Sequence, residues 1–222
     1  MWRNRRDGHT YTIPNMAKGS IIVVRHGNTD LNTAKVFQPY STPLSTTGMV
    51  QAQQCGQWLS NSGYKIAAVL TSDLLRTRQT VEQILGSIGE HTPVIACELL
   101  RERDFGELKG QPYGSAPNVF FESDLKEFDP PGGETWLGFE QRVQIAWDWV
   151  RHQTESCIVK DGDCVLVVTH GLVKKKMASL WEGGEELAKQ TSFDNTSVSI
   201  VSHSPPHQVV LFGSMQHIAS KL

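Results

Sequence analysis

The 222-residue sequence has only four cysteines, almost no net charge and no long hydrophobic run. Each shortage removes a class of protein. Cys55, Cys97, Cys157 and Cys164 are scattered without C-x-x-C spacing, which predicts reduced thiols of an intracellular protein rather than a disulfide framework. A net charge of −2 and a pI near 6.4 provide no field that would favour nucleic acid or an anionic membrane as partner. The longest apolar stretches are strand-sized, well short of the roughly 20 residues a membrane helix needs. Residues 1–19 are polar, with Arg3, Arg5 and Arg6 near the start. They lack the apolar h-region of a secretory signal, so a solvated tail is expected there. The apolar fraction is 39%, low but sufficient at this length for the core of one large domain over 20–219.

What is there reads as alternating strands and helices. The run 20–25, "SIIVVR", is continuously aliphatic, as expected of a strand covered on both faces. A helix capped by Thr46 or Thr47 follows, running to about Ser60, with Val50, Cys55, Trp58 and Leu59 inward. Residues 67–73 form a second buried strand, and "LLRTRQTVEQILGSI" a helix with Leu75, Val81, Leu85 and Ile88 on one side. A short strand is predicted over 93–97. Glycines and prolines interrupt 106–134, leaving one helix near 118–127. A helix from Thr135 places Trp136, Phe139, Val143, Ala146, Trp147 and Val150 on one stripe. A fourth apolar strand ends in "VVTHG", a helix starts at Leu172, and "SVSIVSH" and "QVVLFGS" are the last two strands. The pattern predicts an α/β fold, a three-layer α/β/α sandwich around a mostly parallel six-stranded sheet.

In such sheets ligands bind at the carboxyl ends of the strands, and here those ends are chemically loaded. The first strand ends in Arg25-His26-Gly27 and the fourth in Thr169-His170-Gly171. Glycine after each histidine permits close approach of backbone or ligand. The helix after the second strand carries Arg76 in its first turn, and Glu102 follows the third strand. Arginines offer bidentate donors to a phosphoryl group. A histidine beside them is held neutral and can attack phosphorus. The other histidine can donate to a phosphoryl oxygen, and a carboxyl group can protonate the leaving oxygen and later deprotonate water. A metal-dependent hydrolase would need clustered His and Asp ligands, whereas these histidines stand beside cations that repel a metal ion. No metal or other cofactor is expected.

"VVRHGNT", "SDLLRTRQT", "LRERDFG" and "VVTHG", in that order, resemble the four signatures of the histidine phosphatase superfamily, which includes the phosphoglycerate mutases. The resemblance runs from about Ile21 to the last strands and implies a mixed six-stranded sheet between helices. It implies His26 as the nucleophile that becomes phosphohistidine. It also implies Arg25, Arg76 and His170 as the phosphate pocket and Glu102 as proton donor. Thr29 and Asn32 match pocket-lining positions of relatives, and Gly171 belongs with the substrate-binding set. The chain departs from relatives at Asn28, Pro39 and Lys109, so substrate contacts around those positions differ from theirs.

Phosphatase and mutase use the same pocket. Glu102 and His170 are only 68 positions apart, short for the insertion that the metabolic mutases resemble one another in carrying. "PPGGET" (130–135) resembles the phosphatase branch, including fructose-2,6-bisphosphatase-like members. The expectation is a phosphatase of small phosphorylated metabolites, of sugar bisphosphate or phosphoglycerate type. The alternatives are a phosphoglycerate mutase and a non-catalytic phospholigand-binding or scaffold protein. Segment 106–134 is expected as a lid, with Glu134 either near the phosphate or merely at a helix start. The run Lys174-Lys175-Lys176 reads as a solvated helix face, or with Lys175 on a second anionic group. The terminal Ser220-Lys221-Leu222 spells a peroxisome-import tripeptide, so an import receptor is a candidate partner and peroxisome, with cytoplasm as alternative, the expected address.

Overall fold

The computed structural model describes residues 19–89, 91–116, 125–126, 128–157 and 162–218. All but Gly19 of the tail expected over 1–19, most of the helix expected near 118–127, and the tripeptide 220–222 lie outside the described residues. Six strands form one sheet: β1 (Ser20–Arg25), β2 (Lys65–Thr71), β3 (Val94–Ala96), β4 (Asp163–Thr169), β5 (Val198–Ser202) and β6 (Val209–Ser214), in the order β3-β2-β4-β1-β5-β6. Pairings β1·β4, β2·β4 and β2·β3 are parallel, and β1·β5 and β5·β6 antiparallel. The mostly parallel sandwich expected from the sequence is the fold observed.

The sheet is covered on both faces because its central strands alternate two sets of aliphatic side chains. Ile21, Val23, Leu70, Val165 and Val167 meet Phe139, Val143, Trp147 and Val150 of α4 (Trp136–Cys157) and Val173 and Met177 of α5 (Gly171–Ala178). Ile22, Val24, Val69, Leu166 and Val168 meet Ala52, Cys55 and Leu59 of α2 (Thr46–Asn61) and Val81 and Ile84 of α3 (Leu75–Ile88). A bulge in β2 between Ile66 and Ala68 shifts the register, so Ile66 and Val69 share one face and Ala68 and Leu70 the other. Each fully buried side chain of this size contributes about 1.5–3 kcal/mol.

Several local expectations change. Ser45, not Thr46 or Thr47, caps α2, its hydroxyl accepting from the Gly48 N–H at 3.1 Å. Val50 is exposed, and α2 buries Gly48, Ala52 and Gly56 beside Cys55 and Leu59. On α3 the buried face is Arg76, Thr77, Thr80, Val81 and Ile84, while Leu75 is exposed. That helix turns a polar stripe inward because its first turns abut the site rather than the apolar core. The tryptophan stripe of α4 packs as expected. Two short helices, α1 (Asp30–Thr33) and α6 (Gly184–Gln190), were not separately predicted. All four cysteines are free, with Cys55 and Cys164 buried and Cys97 and Cys157 half-buried. Among the described residues no helix is long and apolar enough to cross a membrane.

Candidate active site

The parallel register brings three strand ends to one rim. Arg25 of β1 lies opposite Thr169 of β4, and Thr71 of β2 opposite Val168. The His26 N–H donates to the Thr169 carbonyl at 2.9 Å, and the Ser72 N–H to that of Val168 at 3.1 Å. His26 and His170 therefore emerge side by side, their ring centroids 5.2 Å apart and edge to face. Gly27 serves a specific close approach. A Cβ there would sit 2.5 Å from the Gly48 carbonyl oxygen, so only glycine lets the start of α2 close on the strand end.

Both histidines are buried, and their protonation follows from their neighbours. Burial first, then Arg76 and Arg25, holds the His26 imidazole well below its ordinary 6.5. His26 Nδ1 is 2.7 Å from the Gly27 carbonyl, and a carbonyl only accepts, so Nδ1 carries the proton. Nε2 is left with its lone pair. His170 is also held well below its ordinary value by burial and then Arg76, His26, Arg25 and Arg142. Its Nε2 is 2.9 Å from Ser72 Oγ, which already accepts from the Leu74 N–H. The serine's single proton is then available to Nε2, which leaves Nδ1–H as a donor without a partner among the described residues.

Glu102 is enclosed at the start of α5. Its two oxygens accept from the Arg103 and Leu172 N–H groups, each at 3.1 Å. Desolvation outweighs these bonds and the nearby Arg76 and Arg25, and raises its carboxyl above the ordinary value. Arg76 is 2% exposed and donates through Nη1 to the Pro39 carbonyl at 3.2 Å. Burial pulls it down to about 10, so it stays cationic at neutral pH. Arg25 Nη1 donates to the Phe193 carbonyl at 2.6 Å. A Cβ on Gly171 would touch Arg25 and Glu102 at ordinary contact distance, so Gly171 lies between the two.

These groups border one cavity of about 290 Å³, lined by Arg25, His26, Asn32, Arg76, Glu102 and Gly171 of the expected set. Thr29 does not line it. Its hydroxyl caps α1 and, with its backbone N–H, holds Asn32 in a reciprocal capping box. Asn195 donates to the His26 carbonyl at 3.0 Å and to Asn32 Oδ1 at 3.3 Å, which ties the nucleophile's backbone to the pocket edge. His170, expected in the phosphate pocket, lies ring to ring beside His26 and is not on the cavity lining.

The residues around the cavity sort differently from expectation. Glu134 is not on the lining; it forms a bidentate pair with Arg142, both bonds 2.7 Å. Arg142 in turn donates to the carbonyls of Leu99 and Arg101, both at 2.8 Å, bracing the segment that carries Glu102. Lys174 is fully buried, correcting the solvated face expected of that run. Its Nζ donates to Ser197 O at 2.5 Å and Oγ at 3.1 Å, over the Phe193 ring. Lys175 lines the cavity and Lys176 pairs with Glu140. Of the three departures from relatives, Lys109 lines the cavity and Asn28 instead accepts from Ser45 Oγ. Pro39 offers its carbonyl to Arg76. Of the expected lid, Gly110, Gln111 and Tyr113 bond to Lys35 and Phe37, Tyr113 and Leu125 line the cavity, and 117–124 and 127 lie outside the described residues. Sequence reasoning missed Arg103, Arg142, Ser72 and Asn195, whose signal lies only in tertiary contacts.

A parallel-sheet rim with two neutral histidines, two arginines and a carboxyl whose proton affinity is raised has the groups that phosphoryl transfer requires. The profile of the Histidine phosphatase superfamily (branch 1) matches residues 21–213, and the chain belongs to that family. Members of the family are phosphatases or mutases. A 2,3-bisphosphoglycerate-dependent phosphoglycerate mutase of Brucella anthropi is 30% identical over 192 residues, spanning 82% of this chain and 90% of the relative. Bacillus stearothermophilus YhfR superposes with a TM-score of 0.76 at 26% identity, covering 90% of this chain and 99% of that one. The alpha-ribazole phosphatase of Shigella flexneri superposes at 0.73 with 21% identity, over 88% and 96% of the two chains, and shares the fold.

Proposed function

We propose that the chain is a metal-independent phosphatase of small phosphorylated metabolites that works through a phosphohistidine at His26. The observation that carries the reading is the 2.7 Å bond from His26 Nδ1 to the Gly27 carbonyl, which aims a lone pair from Nε2 in a site flanked by Arg25 and Arg76. The arginines hold the phosphoryl oxygens, supplying positive charge where it builds in the transition state, with neutral His170 beside the nucleophile. Nε2 attacks phosphorus in line, the P–O bond to the alcohol breaks, and Glu102 gives its proton to the leaving oxygen. Water then attacks the phosphohistidine, Glu102 takes the proton back, and the P–N bond breaks to release inorganic phosphate.

The mutase reading draws support from the Brucella relative's name and from Lys175 on the cavity lining, a cation of the kind that binds a carboxylate. The short Glu102–His170 spacing does not separate the two readings, because that relative is 90% covered by this chain and so carries no long extra segment either. Phosphorus NMR of reactions with alkyl phosphates, both phosphoglycerates and fructose 2,6-bisphosphate tests the reading. Inorganic phosphate should be the main product, at a rate indifferent to EDTA. Interconversion of phosphoglycerates faster than phosphate release would establish the mutase. Loss of activity in EDTA restored by added metal would overturn metal independence. Phosphate binding without turnover of any ester would leave a binding protein.

A further inference from the structure

Beyond the phosphate pocket one side of the cavity is walled by hydrocarbon, while Lys175, Ser192 and Gln38 stand elsewhere on the lining. The Phe37 ring lies 4.5 Å from Phe105 and 4.8 Å from Tyr113, centroid to centroid. Phe37, Phe105 and Leu125 belong to a third apolar cluster, and Leu172 packs against both it and one of the two clusters that cover the sheet. All five side chains line the cavity. Backbone bonds fix this wall in place: the Phe37 N–H donates to Gln111 O at 2.9 Å and the Gly110 N–H to Phe37 O at 2.7 Å.

Two of the cations on the same lining are already committed. Arg103 gives its donors to the carbonyls of Glu134, Leu125 and Phe128 and to Asp129. Lys109 is 2.8 Å from Asp104 and lies over the Tyr40 ring. Drawing either to a second phosphate would break those contacts and leave a partner unpaired. A volume of about 290 Å³ is at the low end of ligand pockets, which run from about 300 Å³. It suits a phosphoryl group with one ring-sized body.

We infer that the substrate is a phosphate monoester of an alcohol bearing one aromatic or branched-hydrocarbon body. The inference rests on the phosphatase reading above and names its leaving group. It departs from the sugar bisphosphate and phosphoglycerate types expected from the sequence, whose hydroxyls would face phenyl and leucyl groups along this wall.

The test compares 2-phenylethyl phosphate with ethyl phosphate, two unactivated primary esters that make the same demand on Glu102. Contact with the wall persists in the transition state, so it is read in kcat/KM. The phenyl ester should be ahead by about ten- to a hundredfold, the effect of burying one ring. 3-Phosphoglycerate and fructose 2,6-bisphosphate should do no better than ethyl phosphate. Equal values for the phenyl and ethyl esters, or an acidic substrate ahead of the phenyl ester, would overturn the inference.

Dissociation constants of 2-phenylethylphosphonate and ethylphosphonate, which cannot turn over, read the wall without the chemistry. A phenyl preference in binding with no turnover of any ester would sink the phosphatase reading and keep the wall. Turnover with no preference in either measurement would do the reverse. Phe37→Ala should shrink the phenyl-to-ethyl ratio. Tyr113→Ala, at a position 41% exposed, should do so with little demand on folding, and a ratio unchanged in both variants would contradict the wall.

Discussion

The two halves of the cavity are built by different means. The phosphate half is assembled from strand ends and the residues just past them, where Arg25, His26, Ser72 and His170 inherit their positions from the sheet's register. The outer half is assembled from loops, where Phe37, Phe105 and Tyr113 meet through bonds between segments that share no regular period. The first half is rigid because moving it means moving the sheet. The second can be altered without touching the core. This division separates chemistry from choice: substitutions on the rim should abolish turnover for every ester, and substitutions on the wall should reorder esters.

The comparison can be broken at the rim, starting with the largest effect. His26→Ala should lose at least about four decades in kcat/KM on all substrates, as removal of a nucleophile does. A loss confined to some esters would mean that the rim also selects. Glu102→Gln should cost about two to four decades for alkyl phosphates, and little for an activated aryl phosphate whose leaving group needs no proton. Equal losses on both would remove Glu102 from the acid role. Arg76→Ala should cost about two to three decades on every ester, as expected of a transition-state donor.

The pH profile sharpens the same half. Attack needs neutral His26, whose ionisation is pushed well below 6.5, so activity rises with pH through that lowered value. Proton donation needs neutral Glu102, whose ionisation is raised, so activity on alkyl esters falls as pH passes above it. The two limbs belong to interacting groups and are read as macroscopic values. In Glu102→Gln the alkaline limb should vanish while the acid limb stays. An unchanged alkaline limb would assign it to another group.

The smallest effect is expected at a positioning residue. Arg142 holds the carbonyls of Leu99 and Arg101 and the carboxylate of Glu134, and a lysine cannot reproduce that fork. Arg142→Lys should cost about ten- to a hundredfold on alkyl phosphates through misplacement of Glu102, with aryl phosphates nearly spared and the alkaline limb displaced. A uniform loss with an unmoved limb would mean a purely structural role.

Legibility in the sequence follows the same division. The aliphatic runs of β1 and β4, each ending in His-Gly, announce buried parallel strands and a loaded rim, because a strand's period and end are local properties. The α4 stripe is legible for the same reason. The inward face of α3 is not, since Arg76, Thr77 and Thr80 are buried by the site they serve rather than by their own hydrophobicity. Lys174 misleads for a related reason. Its neighbours in sequence are Lys175 and Lys176, but its neighbours in space are Ser197 and Phe193, which give its amine acceptors and a ring. Glu134 and Arg142 are eight positions apart on a loop and the helix after it, and only the fold reveals that they serve Glu102.

The central claim is a covalent phosphoryl group on His26. Rapid quench with a radiolabelled phosphate ester tests it most directly, with the label mapped to a peptide and its stability compared in acid and base. The account predicts an acid-labile, base-stable label on the peptide containing His26, present in wild type and absent in His26→Ala. Steady turnover by wild type with no such label, or a label that survives in His26→Ala, would contradict it.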